Sequence, residues 1–330
     1  DTIGISTFDH CSSLEYITLP ASVKNLGDYA FYYCTSLKEI VTDGAFVDLG
    51  VDVDDGPIQQ VALSVENLGY MTFAYSFARG SSLTMKDLET TNGYSLGVSK
   101  LKEVYIDGPI TLIYGNVFEH STLLEKVTLP DTVETIGMQA FLGCEKLTDF
   151  RMPNSIKSIN ARAFKDCSEL VVLNDEGEEV LEFVSAITIA DNAFENCVKL
   201  TEIVFNLEEN GETASIGTGA FSGCENVEWI YLTALEEITG DSDGIGVDGE
   251  IKYGISGIGD YAFDGCGTAG DKGVKIFVKL GSEGDIPAAW SDNWINGAFV
   301  ETDGSYTEVA SYEEYLAAKA APDVNVPVNP

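Results

Sequence analysis

The chain has 330 residues, 45% of them hydrophobic and 10% aromatic, with 54 acidic against 18 basic side chains and a formal net charge of −36. That length suffices for a sizeable core, and the apolar fraction is that of a folded soluble protein. The charge repels phosphate backbones and anionic lipid, which argues against nucleic-acid binding and membrane-surface attachment, and no run approaches the roughly 18 apolar residues of a spanning helix.

In chain order, "DTIGISTFDHC" (1–11) already carries wording that returns later, and reads as the start of a mature fragment whose targeting segment has been removed. "LEYITLPASVKNLGDYAFYYC" (14–34), "LEKVTLPDTVETIGMQAFLGC" (124–144) and "LTDFRMPNSIKSINARAFKDC" (147–167) state the unit in full. Its phenylalanine recurs at Phe8, Phe31, Phe73, Phe118, Phe141, Phe164, Phe194, Phe221 and Phe263, and three of the spacings are 23 residues. In "LEKVTLP", Val127 and Leu129 alternate with Lys126 and Thr128, the period of a short strand with Leu124 also facing inward. Pro20, Pro130 or Pro153 then stops the ladder, and Ser22, Thr132 or Ser155 bonds the turn backbone. Ala140, Phe141, Cys144 and Leu147 follow as a helical stripe too short to stand alone. One strand and one helical turn in about 23 residues form one coil of a solenoid.

This wording resembles the BspA-like, or Treponema-type, leucine-rich repeats over roughly residues 1–280. The expected fold is an α/β repeat solenoid, a right-handed superhelix of about nine coils with parallel strands on one face and short helical turns on the other. Ser76 and Ser121 depart from the pattern by taking the cysteine slot after Phe73 and Phe118.

All seven cysteines (Cys11, Cys34, Cys144, Cys167, Cys197, Cys224 and Cys266) stand three residues after a phenylalanine. Stacking coils at the inter-strand spacing of about 4.8 Å lines them up as a column of small apolar side chains. One column of parallel thiols supplies no tetrahedron for zinc. Disulfides between neighbouring coils stay open, because bridged Cα atoms lie about 4.4–6.8 Å apart.

Insertions interrupt the coils at 43–61, 77–100, 174–183 and 238–257, and such insertions bulge out as loops. Two are acidic. Asp241, Asp243, Asp248 and Glu250, and separately Asp52, Asp54 and Asp55, are weak calcium candidates, since neither run has the register of a twelve-residue calcium loop. Beyond a last strand with Ile276 and Val278 inward, a helix from Ser282 with Trp290 and Trp294 on one face is expected to cap the core. The expected organisation is therefore 1–300 for the repeat array with its capping helix, and 301–330 for a short helix within 305–320 and a proline-containing linker toward a further module.

The residues offer no catalytic constellation. His10 and His120 both fall in the loop beside the Phe/Cys slot, and "GIGVDG" (244–249) lies in an acidic insertion with Asp248 where a phosphate would be repelled. The sheet face is more informative. Strand alternation places Tyr105, Val204, Trp229, Tyr231 and Phe277 outward, the last four as neighbours on successive strands. They are expected to form an exposed aromatic ligand-binding patch, so that Trp229→Ala abolishes binding and leaves the melting temperature unchanged. The family resemblance implies a non-enzymatic, secreted or surface-displayed bacterial module that binds a host or microbial protein or glycan in adhesion. A monomer without a resident metal is expected. The alternatives are a spacer presenting another domain and, more remotely, a polysaccharide-acting enzyme.

Overall fold

A computed structural model describes residues 2–34, 36–43, 51–52, 56–57, 60–63, 67–69, 71–73, 101–106, 108–174, 177–207, 213–234, 236–238, 251–269, 274–280 and 307–320. The chain divides into two compact units, Asp1–Val172 and Leu173–Pro330. Much of the insertions at 43–61 and 238–257, all of 77–100, the candidate ligands Asp241, Asp243, Asp248 and Glu250, Trp290 with Trp294, and the tail beyond residue 320 lie outside the described residues.

The strands of the first unit's main sheet are β1 (Tyr16–Leu19), β2 (Glu39–Thr42), β3 (Gln60–Leu63), β4 (Glu103–Ile106), β5 (Lys126–Thr128) and β6 (Asp149–Phe150). They form one parallel sheet in the order β6-β5-β4-β3-β2-β1. Register runs straight across it, so that Ile17, Ile40, Val104, Val127 and Phe150 share one line facing the core. Tyr16, Glu39, Glu103, Lys126 and Asp149 share the line before it, on the outer face.

One coil shows how the sequence builds this. After β5, the carbonyl of Pro130 accepts the N–H of Val133 at 3.2 Å, and the Thr132 hydroxyl donates to the Ile110 carbonyl of the preceding coil at 2.7 Å. The chain then makes a second, two-residue strand, Thr135–Ile136, paired in parallel with Leu112–Ile113 and Ser158–Ile159. The sequence pattern implied one strand per coil; the structure has two. Gly137 follows, where an added Cβ would lie 2.5 Å from the backbone nitrogen of Gly115, so this coil makes its close approach to its neighbour on a glycine.

The "AFLGC" segment corrects the expectation of a helical turn. Gln139 and Gly143 have φ of +59° and +70°, and the same two slots flanking the repeat phenylalanine are left-handed in other coils, as at Tyr29 and Tyr33 or Asn192 and Asn196. Within the coil, N–H groups of Leu142 and Cys144 bond three residues back, to Gln139 and Phe141. The intervening N–H groups of Gln139, Phe141 and Gly143 donate instead to Ala161, Ala163 and Lys165 of the next coil, at 3.1, 2.8 and 2.8 Å. A continuous helix would keep all these bonds in one coil. The left-handed residues turn alternate amides sideways, and the turn edge becomes a third ladder between coils.

Inside, the repeat phenylalanines stack. In the first unit Phe8, Phe31, Phe73, Phe118, Phe141 and Phe164 follow one another with centroids 5.0–6.1 Å apart and planes within 18° of parallel. Burying each such ring contributes about 1.5–3 kcal/mol, so this column dominates the core. None of the seven cysteines is in a disulfide, and all but the partly buried Cys11 are fully enclosed. Thiols have a polar role as well: Cys34, Cys144 and Cys167 donate to the carbonyls of Phe8, Phe118 and Phe141 in the preceding coil at 3.0, 3.2 and 3.1 Å.

The second unit repeats the plan. Strands β7 (Leu181–Phe183), β8 (Glu202–Phe205), β9 (Trp229–Thr233), β10 (Lys275–Lys279) and β11 (Thr307–Glu308) form a parallel sheet in that order. Phe194, Phe221 and Phe263 stack with centroids 5.3 and 5.4 Å apart. The strand Ile251–Ile258 pairs in parallel with Thr213–Ile216 and antiparallel with Glu236–Ile238, so part of the expected loop 238–257 is sheet. The pairing of β11 adds a rung beyond residue 300, where the sequence had lost the repeat. The single α-helix among the described residues, α1 (Tyr312–Ala320), comes next.

Candidate functional site

Helix α1 has a sequence-encoded start. Ser311 is its N-cap, with Oγ accepting the Glu314 N–H at 3.3 Å, and the Glu314 carboxylate reaches back to the Ala310 N–H at 2.7 Å. Acidic Glu313 and Glu314 in the first turn and Lys319 in the last complement the helix dipole. Nine residues are too few for a stable free helix, so packing must hold it.

It packs on the outer face of the second unit's sheet. Register across β8, β9 and β10 aligns Val204, Tyr231 and Phe277, and Trp229 and Lys275 stand in the next line with Glu202. The ring of Tyr315 enters this surface with centroids 5.1 Å from Tyr231, 5.3 Å from Phe277 and 6.4 Å from Trp229. Tyr312 packs 5.2 Å from Tyr231, and Val180 and Val309 complete the cluster. Lys275 Nζ lies 4.7 Å above the Trp229 ring.

The aromatic patch expected from the sequence therefore exists as a constellation but not as an exposed surface. Val204, Tyr231 and Phe277 are buried and Trp229 is half-buried. Alternation of side chains assigns these residues to the outer face, and α1 covers that face. Tyr105 belongs to the first unit and is half-buried on β4.

One polar group closes the contact. Glu202 is buried, and its two carboxylate oxygens accept the Tyr315 hydroxyl and the Lys319 ammonium separately. Burial, followed by the Glu202 charge, holds the Tyr315 phenol protonated well above the usual tyrosine range. Burial, followed by Glu182, does the same for Tyr312. Sequence reasoning missed Glu202, Tyr312, Tyr315 and Lys319. The available signal was the spacing of Tyr312, Tyr315 and Lys319, which puts all three on one helix face.

The first unit's outer sheet face has a different chemistry. Tyr16 is 52% exposed, with Lys38 Nζ 5.3 Å from its ring centroid and 2.9 Å from Glu15. Lys126 pairs with Asp149 at 2.9 Å beside Glu103, whose carboxyl is raised by burial against the lowering pull of Lys126. These pairs join equivalent positions of adjacent coils, and at their exposure solvent screens them to little net stabilisation. On the turn edge His10 stacks on Tyr33 at 4.9 Å, and His120 Nε2 lies 3.7 Å from Glu119. Among the described residues no group of three or more histidine, cysteine, aspartate or glutamate side chains is arranged to hold a metal ion. None of the described helices is long and apolar enough to cross a membrane.

Comparison with known proteins was made on sequence and on structure. A family model described as "BspA type Leucine rich repeat region" matches residues 1–123, 58–171 and 181–242, in six copies. No curated protein matches. Among solved structures, the T. pallidum leucine-rich repeat protein is 23% identical, with 68% of this chain and 71% of that one covered at a TM-score of 0.35. A leucine-rich cell surface protein of Faecalibacterium prausnitzii is 15% identical, with 98% and 87% covered at 0.35. The pneumococcal vaccine antigen PcpA is 17% identical, with 94% and 71% covered at 0.37.

Proposed function

Since the chain belongs to the BspA-type leucine-rich repeat family, matched over more than half its length, we propose that it is a non-enzymatic recognition module whose sheet faces bind a host or microbial protein or glycan in adhesion. The observation that carries this reading is the packing of α1 on β8, β9 and β10: the outer face of a repeat sheet in this chain already engages a folded segment through Val204, Tyr231 and Phe277. Leucine-rich repeat families use such faces for protein contacts, and the first unit offers solvent its own outer face with Tyr16, Lys38 and paired charges. The acidic surface favours partners with basic or uncharged contact regions. The module acts as a monomer displayed outside the cell.

The test is direct. The full chain is probed against arrays of glycans and matrix proteins, with Tyr16→Ala/Lys38→Ala alongside. Saturable capture by one ligand class, weakened in the variant while the melting temperature holds, supports recognition through the first unit's face. Silence across both arrays, or turnover of an arrayed polysaccharide, overturns the reading.

A further inference from the structure

We propose that the outer sheet face of the second unit is a binding site for an amphipathic helix carrying tyrosines three residues apart and a lysine four residues after the second, and that this chain fills the site in cis with its own α1. The inference rests on the reading of the sheet faces as recognition surfaces and names the ligand chemistry of one of them.

Three observations carry it. The first is composition against position. In the first unit, one outer line holds Tyr16, Glu39, Glu103, Lys126 and Asp149, mostly residues that suit water, and the next holds Thr18, Val41, Tyr105 and Thr128. In the second, the equivalent lines are Glu202, Trp229 and Lys275, then Val204, Tyr231 and Phe277, an aromatic surface unsuited to water and packed around the inserted ring of Tyr315. The second is a built polar acceptor. Glu202 is a carboxylate buried in an outer sheet face, and both its oxygens are used by groups one helix turn apart, Tyr315 and Lys319. That arrangement reads a helix by spacing as well as by apolar area.

The third is the weakness of the attachment. Helix α1 has nine residues, Leu316 on its far side is 43% exposed, and β11 joins the sheet through only two residues. Such a segment opens locally at less free energy than the strands beneath it. Because it belongs to the same chain, it competes intramolecularly for the face, so a partner helix must outcompete it.

The experiment uses the full chain and a fluorescein-labelled peptide of residues 305–320, SYTEVASYEEYLAAKA. Wild type is compared with Tyr315→Ala/Lys319→Ala, which weakens the resident helix and leaves the sheet face untouched. The expected result is peptide binding to the variant at least about tenfold tighter than to wild type, because the tethered competitor has been weakened. Glu202→Gln in the same background should reduce that binding. Equal anisotropy titrations for wild type and a folded variant overturn the proposal.

Hydrogen exchange on the wild-type chain gives an independent decision where the variant does not fold. Amides of 312–320 should exchange about a hundredfold faster than those of 229–233 through local opening, and equal rates make α1 an inseparable part of the sheet. Array binding by wild type with no peptide capture by the variant removes the helix site and leaves the broader recognition reading standing.

Discussion

The thiol of Cys144 donates to the carbonyl oxygen of Phe118, 3.2 Å away in the preceding coil, and that same oxygen accepts the N–H of Ser121 at 3.1 Å. A cysteine in this slot therefore fills a narrow part of the core and occupies the second lone pair of a buried carbonyl. Cys144→Ala removes the donor and leaves a small void, and should cost about 1–2 kcal/mol. Cys144→Ser keeps a donor in a similar volume, and a buried serine occupies the same slot at Ser121, so it should cost less than alanine. Denaturant melts of the two variants under reducing conditions check the order; a serine variant weaker than the alanine variant would show that the slot rejects a hydroxyl and that the donor role is absent.

Burial pushes the thiols of Cys34 and Cys224 from an ordinary value of 9.0 up to about 12. The folded chain then keeps protons that the unfolded chain releases, so the stabilisation is complete below about pH 9 and is lost progressively as pH rises toward 12. Each such thiol contributes a slope of up to about 1.4 kcal/mol per pH unit. Stability measured from pH 8 to 10 in reductant should fall with rising pH, and Cys224→Ala should flatten the slope. Tyr312 and Tyr315 add to the decline only above their ordinary value of 10.0. A flat profile between pH 8 and 10 would contradict a buried thiol column.

At Gly143 a side chain meets two obstacles. Its φ is +70°, and an added Cβ would come 2.5 Å from Nδ1 of His120 in the preceding coil. Gly143→Ala should cost about 1–2 kcal/mol from the left-handed backbone alone, with a further loss from displacing the imidazole. The double variant His120→Ala/Gly143→Ala separates the terms, since it should recover the steric part and retain the backbone part. Thermal melts of the two singles and the double, read as a cycle, give the coupling.

What the sequence shows and hides follows from the reach of each signal. The phenylalanine and cysteine columns were legible because Phe141 and Cys144 recur at fixed spacing in adjacent coils. The second ladder was not, since Thr135–Ile136 is too short for alternation to register. Nor was the handedness of the turns: Gln139, Arg162 and Tyr29 all take left-handed backbone that glycine would advertise. At the candidate site, alternation correctly placed Val204, Tyr231 and Phe277 on the outer face. It could not reveal their burial, which depends on Tyr315, 113 residues beyond Glu202. Local patterns tell which way a side chain faces; only the tertiary fold tells what lies over it.

Position under α1 reverses the expectation for Trp229 and ranks its neighbours. Tyr231 is fully buried between Val204 and Phe277 along the sheet and beneath Tyr312 and Tyr315, so Tyr231→Ala should cost about 3–5 kcal/mol, the range of large aromatic truncations. Trp229 is only half-buried, with its ring 5.9 Å from Phe277, 6.4 Å from Tyr315 and under Lys275. Trp229→Ala should therefore lower stability by about 1–2 kcal/mol, below the cost of a fully enclosed ring, instead of leaving the melting temperature unchanged. The two losses should differ in kind as well as size. Removing Tyr231 opens the face of β9 itself and should shift the global unfolding midpoint. Removing Trp229 mainly loosens the seat of Tyr315 and should speed hydrogen exchange in 312–320 more than in the strands. A Trp229→Ala chain with unaltered exchange in that helix would mean that the indole contributes nothing to the docking.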